Sequence, residues 1–514
     1  MKLVLVFLSV VATACAYNIL CIQTVPSKSH YHLMKGIVDP LLKAGHQITF
    51  ISTYPEAKPV KNLKYIDVSH IQMLIRNIDM GDRTKQGMSV VREFARNISR
   101  AAIGSPAVKE ALMKERFDAV VTEWFFSDAD SGYAAVQQVP WILLSGMTMH
   151  PHIENLVDAV RSVPVLPAIK NDSPIPMNFW SRVMNTFAFI YTSTGTVLDY
   201  PLVKSDYESY FSPIAKARGV TLPSYEEALY NVSILFVNSH PSFAPAQSLP
   251  PNVVEIGGYH ISEEIPPLPK DLQDLLDSST QGVVYFSMGS VLKSSQLPEK
   301  TKQDLIKLFG ELPYTVLWKF EEKLEGLPKN VHIRPWMPQS SILAHKNLKV
   351  FITHGGLLST LESLRYGVPI IAIPVFGDQP SNAQRCVRGG HALMVDFTPE
   401  MGGPLKAALK EMLSNDRYYK QAKYLSRLFT DRPVTTTHLI QHYVRLAIET
   451  NGADHLRSKA LLYSWYQLWM LDQLAFLLVV LYIIYSVFKK IIGLFKKGNQ
   501  HKNQSVKSKK EKRH

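Results

Sequence analysis

Twice along this chain, short β-rich runs alternate with helix-length segments, and that alternation restricts the fold more than any other feature. Residues 18–24 read as a strand, residues 31–44 carry apolar side chains at 33, 37 and 41 in a helical pattern, and residues 47–52 read as a second strand. This is a βαβ opening, and Pro40 predicts a kink or a break in its helix. Residues 118–122 and 141–144 read as further buried strands. The stretches 162–180 and 241–270 are Pro-rich and patternless. A second series follows: strands over 283–287, 314–320, 330–334, 349–353, 368–373 and 392–395, then helical patterns from 404 to 450. Parallel strands need long crossovers, so strands spaced by helices predict two parallel α/β domains joined near 245–270. A chain of 514 residues is also too long for one ordinary domain. In open α/β sheets ligands sit beyond the strands' carboxyl ends, so chemistry is expected on loops after strands, in a cleft between the halves. No internal repeat with a period of 20 to 50 residues is found.

The two ends place the chain in a cell. Met1-Lys2, the apolar run Leu3 to Ala12 and Ala14-Cys15-Ala16 form the pattern of a secretory signal peptide cleaved after Ala16. Residues 468–488 are almost continuously apolar and span about 31 Å as a helix, enough for one bilayer crossing. Trp465, Tyr466 and Trp469 suit the membrane interface, and the basic tail 489–514 satisfies the positive-inside rule, which predicts a lumenal body and a cytosolic tail. That tail holds ten Lys/Arg against one acid, so the remaining 488 residues carry only +4 of the formal net charge of +13. A nearly neutral body excludes a nucleic-acid-binding domain. Sequons at Asn97, Asn171 and Asn231 fall on the lumenal side as glycan acceptors, whereas Asn503 stays bare in the cytosol. After signal cleavage only Cys21 and Cys386 remain, two buried free thiols rather than a disulfide framework. Lys510 and Lys512 lie five and three residues from the C-terminus, either as a dilysine-type retrieval signal or as part of a basic tail at an anionic membrane surface.

The densest chemistry lies between Arg334 and Gln384. The strand over 349–353 ends at His354, and Gly355-Gly356 lead directly into a helix from Leu357. A close backbone approach, exposed helix N-terminal N–H groups and an adjacent imidazole make an anion site suited to a diphosphate; Gly-Gly alone would be only a tight turn. Glu362 lies eight residues along that helix, about 12 Å from His354, where a carboxylate can accept from ribose hydroxyls. Trp336 offers a face for stacking on a base, and Gln339 a paired donor and acceptor for a uracil edge. Asp378-Gln379 follows the strand over 368–373, where a carboxylate and an amide can grip vicinal sugar hydroxyls.

This segment resembles the signature of the UDP-glycosyltransferase superfamily in its membrane-bound animal, microsomal form. The resemblance extends to the signal peptide, Asn238-Ser-His-Pro, Phe286-Ser-Met-Gly-Ser290 and the C-terminal anchor, and so covers nearly the whole chain. It implies an α/β GT-B fold, two Rossmann-like domains facing a cleft, plus the C-terminal transmembrane helix. The expected boundaries are 1–16 signal peptide, 17–245 acceptor-binding domain, 246–270 linker, 271–450 UDP-sugar-binding domain, 451–467 juxtamembrane segment, 468–488 transmembrane helix and 489–514 cytosolic tail. Carried over by position, Trp336 stacks on uracil and Gln339 and Glu362 hold base and ribose. His354 and the Ser290 turn meet the phosphates, Asp378 and Gln379 bind the sugar, and Gly356 and Ser359 join the UDP-sugar site. Gly-Gly-Leu-Leu-Ser-Thr resembles insect members, which typically use UDP-glucose. The UDP-sugar is a co-substrate; no cofactor is implied, and the oligomeric state is not fixed.

The family's catalytic histidine matches His30, in the loop after the first strand, and its orienting acid falls at Glu123, one methylene longer than the usual Asp. Independently of kinship, His30 follows strand 18–24 at the carboxyl edge of the sheet, where an imidazole with a pKa near 6.5 can take a proton from an acceptor hydroxyl. His32 competes for that role, and Asp128 competes as the orienting acid. Leu358 and Ala246 stand where some relatives carry Asn and Arg, so the phosphate and sugar contacts differ locally, and the lost cation at 246 favours a neutral hexose over glucuronate. Asp128-Ala-Asp130 imitates a metal-binding Asp-x-Asp, but no metal is expected. The expected activity is inverting, metal-independent transfer of a hexose, most simply glucose, to a small lipophilic acceptor in the lumen of the endoplasmic reticulum. The rivals are a catalytically silent UDP-sugar-binding partner subunit, a glucuronosyl donor, and a nucleotide-sugar epimerase that needs no acceptor.

Overall fold

The computed structural model describes residues 16–75, 87–158, 160, 163–168, 173–290 and 292–511, with the backbone alone from 497 onward. They fall into two compact units, one holding 16–157 and 163–458, the other 158, 160 and 459–511. The signal-peptide region to residue 15, the Asn171 sequon and the last three residues lie outside the described residues.

The large unit contains two parallel sheets. The first has the order β3-β2-β1-β4-β5-β6-β7, with β1 (Asn18–Gln23), β2 (Gln47–Ser52), β3 (Leu63–Asp67), β4 (Ala119–Trp124), β5 (Trp141–Ser145), β6 (Val232–Val237) and β7 (Val253–Glu255). The second has the order β10-β9-β8-β11-β12-β13, with β8 (Val283–Ser287), β9 (Thr315–Lys319), β10 (Val331–Arg334), β11 (Leu348–Thr353), β12 (Ile370–Ala372) and β13 (Ala392–Met394). Every pairing within them is parallel. Strand order reverses between β1 and β4 in one sheet and between β8 and β11 in the other, and in open α/β sheets ligands bind at switch points of this kind.

Both sheets are covered on both faces. Leu20 and Ile22 of β1 enter one core while Ile19 and Cys21 enter another, as a period of two requires. Val284 and Phe286 are divided in the same way from Val283 and Tyr285 in the second sheet. Burial on both faces explains why these strands read as continuous apolar runs. Cys21 and Cys386 are buried free thiols.

Three elements depart from the expected pattern. Helix Lys28–Lys43 runs through Pro40 without ending, and the Pro40 carbonyl accepts from Gln441 Nε2 at 2.8 Å. The stretch 246–270 is not free chain, because Val253–Glu255 adds β7 to the first sheet. Helix Phe179–Arg218 occupies a region that reads as Pro-rich and patternless as far as residue 180. Its start is fixed by Asn178 Oδ1, which accepts from the Ser181 N–H at 2.8 Å, and its end by Gly219 at φ +68°.

In the second unit, Ser464 and Gln467 form a reciprocal cap on the short helix Trp465–Leu468. Helix Leu471–Glu511 follows, and its part Leu471–Lys496 is long and apolar enough to cross a membrane, with none of its most apolar window buried.

Candidate active site

The first half of the site stands at the switch point between β1 and β4. Chain leaving β1 passes Pro26 and enters helix Lys28–Lys43 at Ser27, so His30 lies in the first helical turn. Glu123 is the penultimate residue of β4, the neighbouring strand. The Nδ1–H of His30 donates to Glu123 Oε1 at 2.5 Å, with the side chains 25% and 1% exposed respectively. Phe125 meets the imidazole edge-on at 5.3 Å between ring centres. A carboxylate only accepts, so the pair fixes the proton on Nδ1 and leaves Nε2 as the acceptor nitrogen.

Burial is the largest single influence on His30 and lowers its pKa. The charge and hydrogen bond of Glu123, with a smaller contribution from Asp378, outweigh it and leave the pKa above the ordinary value of 6.5. The other two candidates are placed differently. Asp128 Oδ1 accepts from the Trp124 indole at 2.8 Å. His32 keeps part of its side chain in solvent, and partial desolvation, then the charges of Lys28 and Lys35, lowers its pKa. Asp130 is buried, and burial pushes its carboxyl up to about 7. Among the described residues no group of three or more His, Cys, Asp or Glu is placed to hold a metal ion.

The second half stands at the switch point between β8 and β11. β8 ends at Ser287 and turns at Gly289, φ +83°, before the exposed Ser290; β11 ends at Thr353 and delivers His354. A Cβ on Gly289 or on Gly356 would lie 2.5 Å from the His354 ring, so the imidazole fills a slot that only two glycines leave open. Lys319, at the end of β9, donates to the Gly289 carbonyl and to Glu321 Oε1, each at 2.8 Å. Burial, helped by Lys319, pushes His354 down to about 4, so it is neutral at physiological pH. His354 can therefore offer an anion a neutral N–H donor but no positive charge. Lys319 is the cation beside this turn, and sequence reasoning missed it. A lysine closing an otherwise apolar strand was the available signal.

Among the remaining candidates, Gln339, Ser359 and Glu362 form a connected set. Gln339 Nε2 donates to Ser359 Oγ at 2.9 Å and to Glu362 Oε2, and Ser340 Oγ donates to Glu362 Oε1 at 2.6 Å. Tyr285 Oη donates to Gln339 Oε1 at 3.4 Å, so both ends of that amide are engaged within the protein. Burial raises the Glu362 pKa, and the bonds from Ser340 and Gln339 oppose the rise. Trp336 is 55% exposed, and the Lys28 ammonium lies 5.2 Å from its ring centre, so the segment carrying His30 touches the aromatic candidate for base stacking. Asp378 Oδ2 accepts from Asn382 Nδ2 at 2.7 Å, and Gln379 Oε1 accepts from the Val375 and Phe376 N–H groups at 2.8 and 3.1 Å. Gln379 is thus held by the turn before it, with its Nε2 free of those bonds.

Of the sequons, Asn97 is exposed on helix Met88–Gly104, and Asn231 is exposed with its Oδ1 accepting from Arg457 at 2.6 Å.

Comparison with known proteins gives the chain a family and a fold. The family described as UDP-glucoronosyl and UDP-glucosyl transferase matches residues 42–505. UDP-glucosyltransferase 2 of Dactylopius coccus is 33% identical over 490 residues, 93% of each chain. UDP-glucuronosyltransferase 2B7 of Homo sapiens is 26% identical over 497 residues, 91% of each chain. Among solved structures, the glycotransferase of kitacinnamycin superposes with a TM-score of 0.58 at 17% identity, covering 84% of this chain and 99% of that one. CalG4, the calicheamicin glycosyltransferase, gives 0.56 at 19% identity over 85% and 98%. Two parallel sheets with paired switch points, a family match over most of the length and these structural neighbours lead to one conclusion: the chain belongs to the UDP-glucoronosyl and UDP-glucosyl transferase family and is a UDP-glycosyltransferase of GT-B fold.

Proposed function

We propose that this enzyme transfers glucose from UDP-glucose to the hydroxyl of a small lipophilic acceptor, with inversion and without a metal. The observation that carries the reading is the His30–Glu123 pair, a proton acceptor with its tautomer fixed at the mouth of a switch point. The acceptor oxygen attacks C1 of the sugar from the face opposite the diphosphate, and its proton passes to His30 Nε2. The C1–O bond breaks as the new bond forms, and UDP leaves with the electron pair. Glu123 stabilises the imidazolium, while the N–H groups opening helix Leu357–Tyr366 and the neutral His354 receive the charge growing on UDP. Ala246, where some relatives carry Arg, leaves no cation there for a glucuronate carboxylate and favours a neutral sugar. The apolar helix at 471–496 and the basic tail support a single-pass type I anchor in the endoplasmic reticulum, with the body lumenal and glycans on the sequons.

Membranes carrying the protein are given UDP-glucose or UDP-glucuronate with mixed phenolic acceptors, and UDP release is measured. Acceptor-dependent release with UDP-glucose is the expected result. Dominant release with UDP-glucuronate would overturn the donor assignment. Release without acceptor would favour an epimerase, and UDP binding with no release for any acceptor would favour a silent subunit.

The pH dependence carries its own sign. Only neutral His30 accepts a proton, and its pKa is raised, so kcat climbs with pH along an acid limb lying above 6.5. Glu123→Gln removes the larger of the two charges that raise it, and burial then dominates. The limb moves to lower pH, and kcat at pH 8 falls about 30- to 100-fold because the tautomer is no longer fixed. A pH–rate profile of that variant with the limb unmoved would exclude Glu123 as the partner.

A further inference from the structure

Asp378 stands at the N-cap of helix Gln379–Arg388, where a carboxylate ordinarily accepts from the N–H groups of the first turn. Here its side chain makes no such capping bond, and Oδ2 instead accepts from Asn382 Nδ2 at 2.7 Å. The same nitrogen donates to the Gly355 carbonyl at 3.2 Å. An amide nitrogen carries two hydrogens, so one goes to the carboxylate and the other to the turn that opens helix Leu357–Tyr366. Asn382 is buried, and the two segments it joins are packed as well as bonded. A Cβ on Gly355, at φ +78°, would lie 3.3 Å from the Gln379 carbonyl oxygen and 3.6 Å from Ala383 Cβ. Burial raises the Asp378 pKa, and the bond from Asn382 is the largest influence opposing the rise.

We propose that Asn382 is a positioning residue for the donor, drawing the Asp378 carboxylate off the helix end so that its second oxygen is kept for the hydroxyls of the sugar. The proposal rests on the reading of Asp378 as a sugar-binding residue. A carboxylate that capped the first turn would be engaged by its own helix, whereas one held through Oδ2 by a side chain one turn on keeps Oδ1 as a charged acceptor. The Gly355 carbonyl fixes the amide from its other side, so the orientation of the carboxylate is referred to the turn beside His354. Gln339 and Glu362 are tied to Ser359 and Ser340 instead, so the effect of Asn382 falls on the sugar rather than on the base and ribose. The charged and titratable groups acting on Asp378 are Arg385, one turn beyond Asn382 on the same helix, and His30 from the first half.

The test is Asn382→Leu, which keeps the branched shape and removes the amide, with UDP-glucose and UDP each titrated against the full chain by intrinsic fluorescence. The Kd for UDP-glucose should rise about fivefold to twentyfold and that for UDP should stay within about twofold, because UDP lacks the sugar. A general loosening of the glycine turn would weaken both ligands alike. In an Asp378→Ala background, Asn382→Leu should weaken UDP-glucose no further, since the amide acts only through the carboxylate. Asn382→Asp is the second variant and compares one protein with itself across pH. Its new carboxyl can bond Asp378 only while the pair keeps one proton, so the link is present below the upper pKa of the pair and is lost as pH rises through it. The ratio of the UDP-glucose Kd to the UDP Kd should therefore rise at least about fivefold from pH 6 to pH 9 in that variant and stay within about twofold in the wild type. Equal losses for the two ligands in Asn382→Leu, no loss for either, a further loss in the Asp378→Ala background, or a ratio independent of pH in Asn382→Asp would overturn the proposal. If Asp378→Ala binds UDP-glucose as tightly as the wild type, the sugar-binding reading itself fails; if Asp378→Ala binds it more weakly and Asn382→Leu is silent, only the role of Asn382 fails.

Discussion

His30→Ala should lower kcat for acceptor-dependent UDP release by about 10³- to 10⁴-fold while leaving UDP-glucose binding within about twofold. The imidazole makes its contacts with Glu123 and Phe125 on the first sheet, whereas the donor candidates at Ser290, Gln339, His354 and Glu362 stand on the second. Removing the ring therefore takes away the proton acceptor and leaves the nucleotide site built. On the proposed mechanism, residual release comes from positioning and from the helix N-terminus that would receive the leaving group. Equal turnover in both proteins would remove His30 from the chemistry and turn attention to His32, which has no bond to a carboxylate among the described residues.

Gly289→Ala should raise the half-saturating UDP-glucose concentration by at least about 30-fold. Gly289 stands at φ +83°, a region a Cβ strains, and the added carbon would sit 2.5 Å from the His354 ring. Backbone strain of about 1–3 kcal/mol and overpacking of a similar size act together, so the turn shifts or the imidazole leaves its slot. Either movement also disturbs the Gly289 carbonyl that receives Lys319. Titration of UDP by intrinsic fluorescence, beside the thermal midpoint, separates lost binding from lost folding. Wild-type affinity in a folded Gly289→Ala protein would mean that the slot around His354 plays no part in holding the donor.

Strands buried on both faces were the most legible part of the sequence. The run over 283–287 is β8, and those over 18–24, 47–52 and 349–353 differ from β1, β2 and β11 by at most one residue at either end. β3 is less legible because its pattern Leu-Lys-Tyr-Ile-Asp is half exposed at the sheet edge, and β7 is only three residues long inside a Pro-rich stretch. Helix Phe179–Arg218 is obscured by Pro201 and Pro213 within it and by apolar residues spread around its circumference rather than along one stripe. In the site, residues on a strand end or a glycine turn could be named from local pattern. Long-range contacts left no such trace. That Gln339 spends its amide on Ser359 and Glu362, that Lys319 reaches Gly289, and that Tyr259 packs beside the helix of His30 each depend on chain segments 20 to more than 200 residues apart.

The chain does not end where its second sheet is complete. Helix Thr436–Glu449 places Ile440, Val444 and Ala447 in the core behind β1 and β4, Arg432 donates to the Gly257 carbonyl at 2.7 Å, and Arg457 reaches Asn231. The half built on the first sheet is therefore not one continuous stretch of gene. A recombinant that joins the first 260 residues of this protein to the remainder of a relative would receive a foreign lining behind its own His30 and Glu123. Such hybrids should be unstable unless residues 432–457 travel with the first half. Shuffling that aims to change acceptor choice while keeping the donor thus needs two crossovers in the second half of the gene, one before and one after that returning helix.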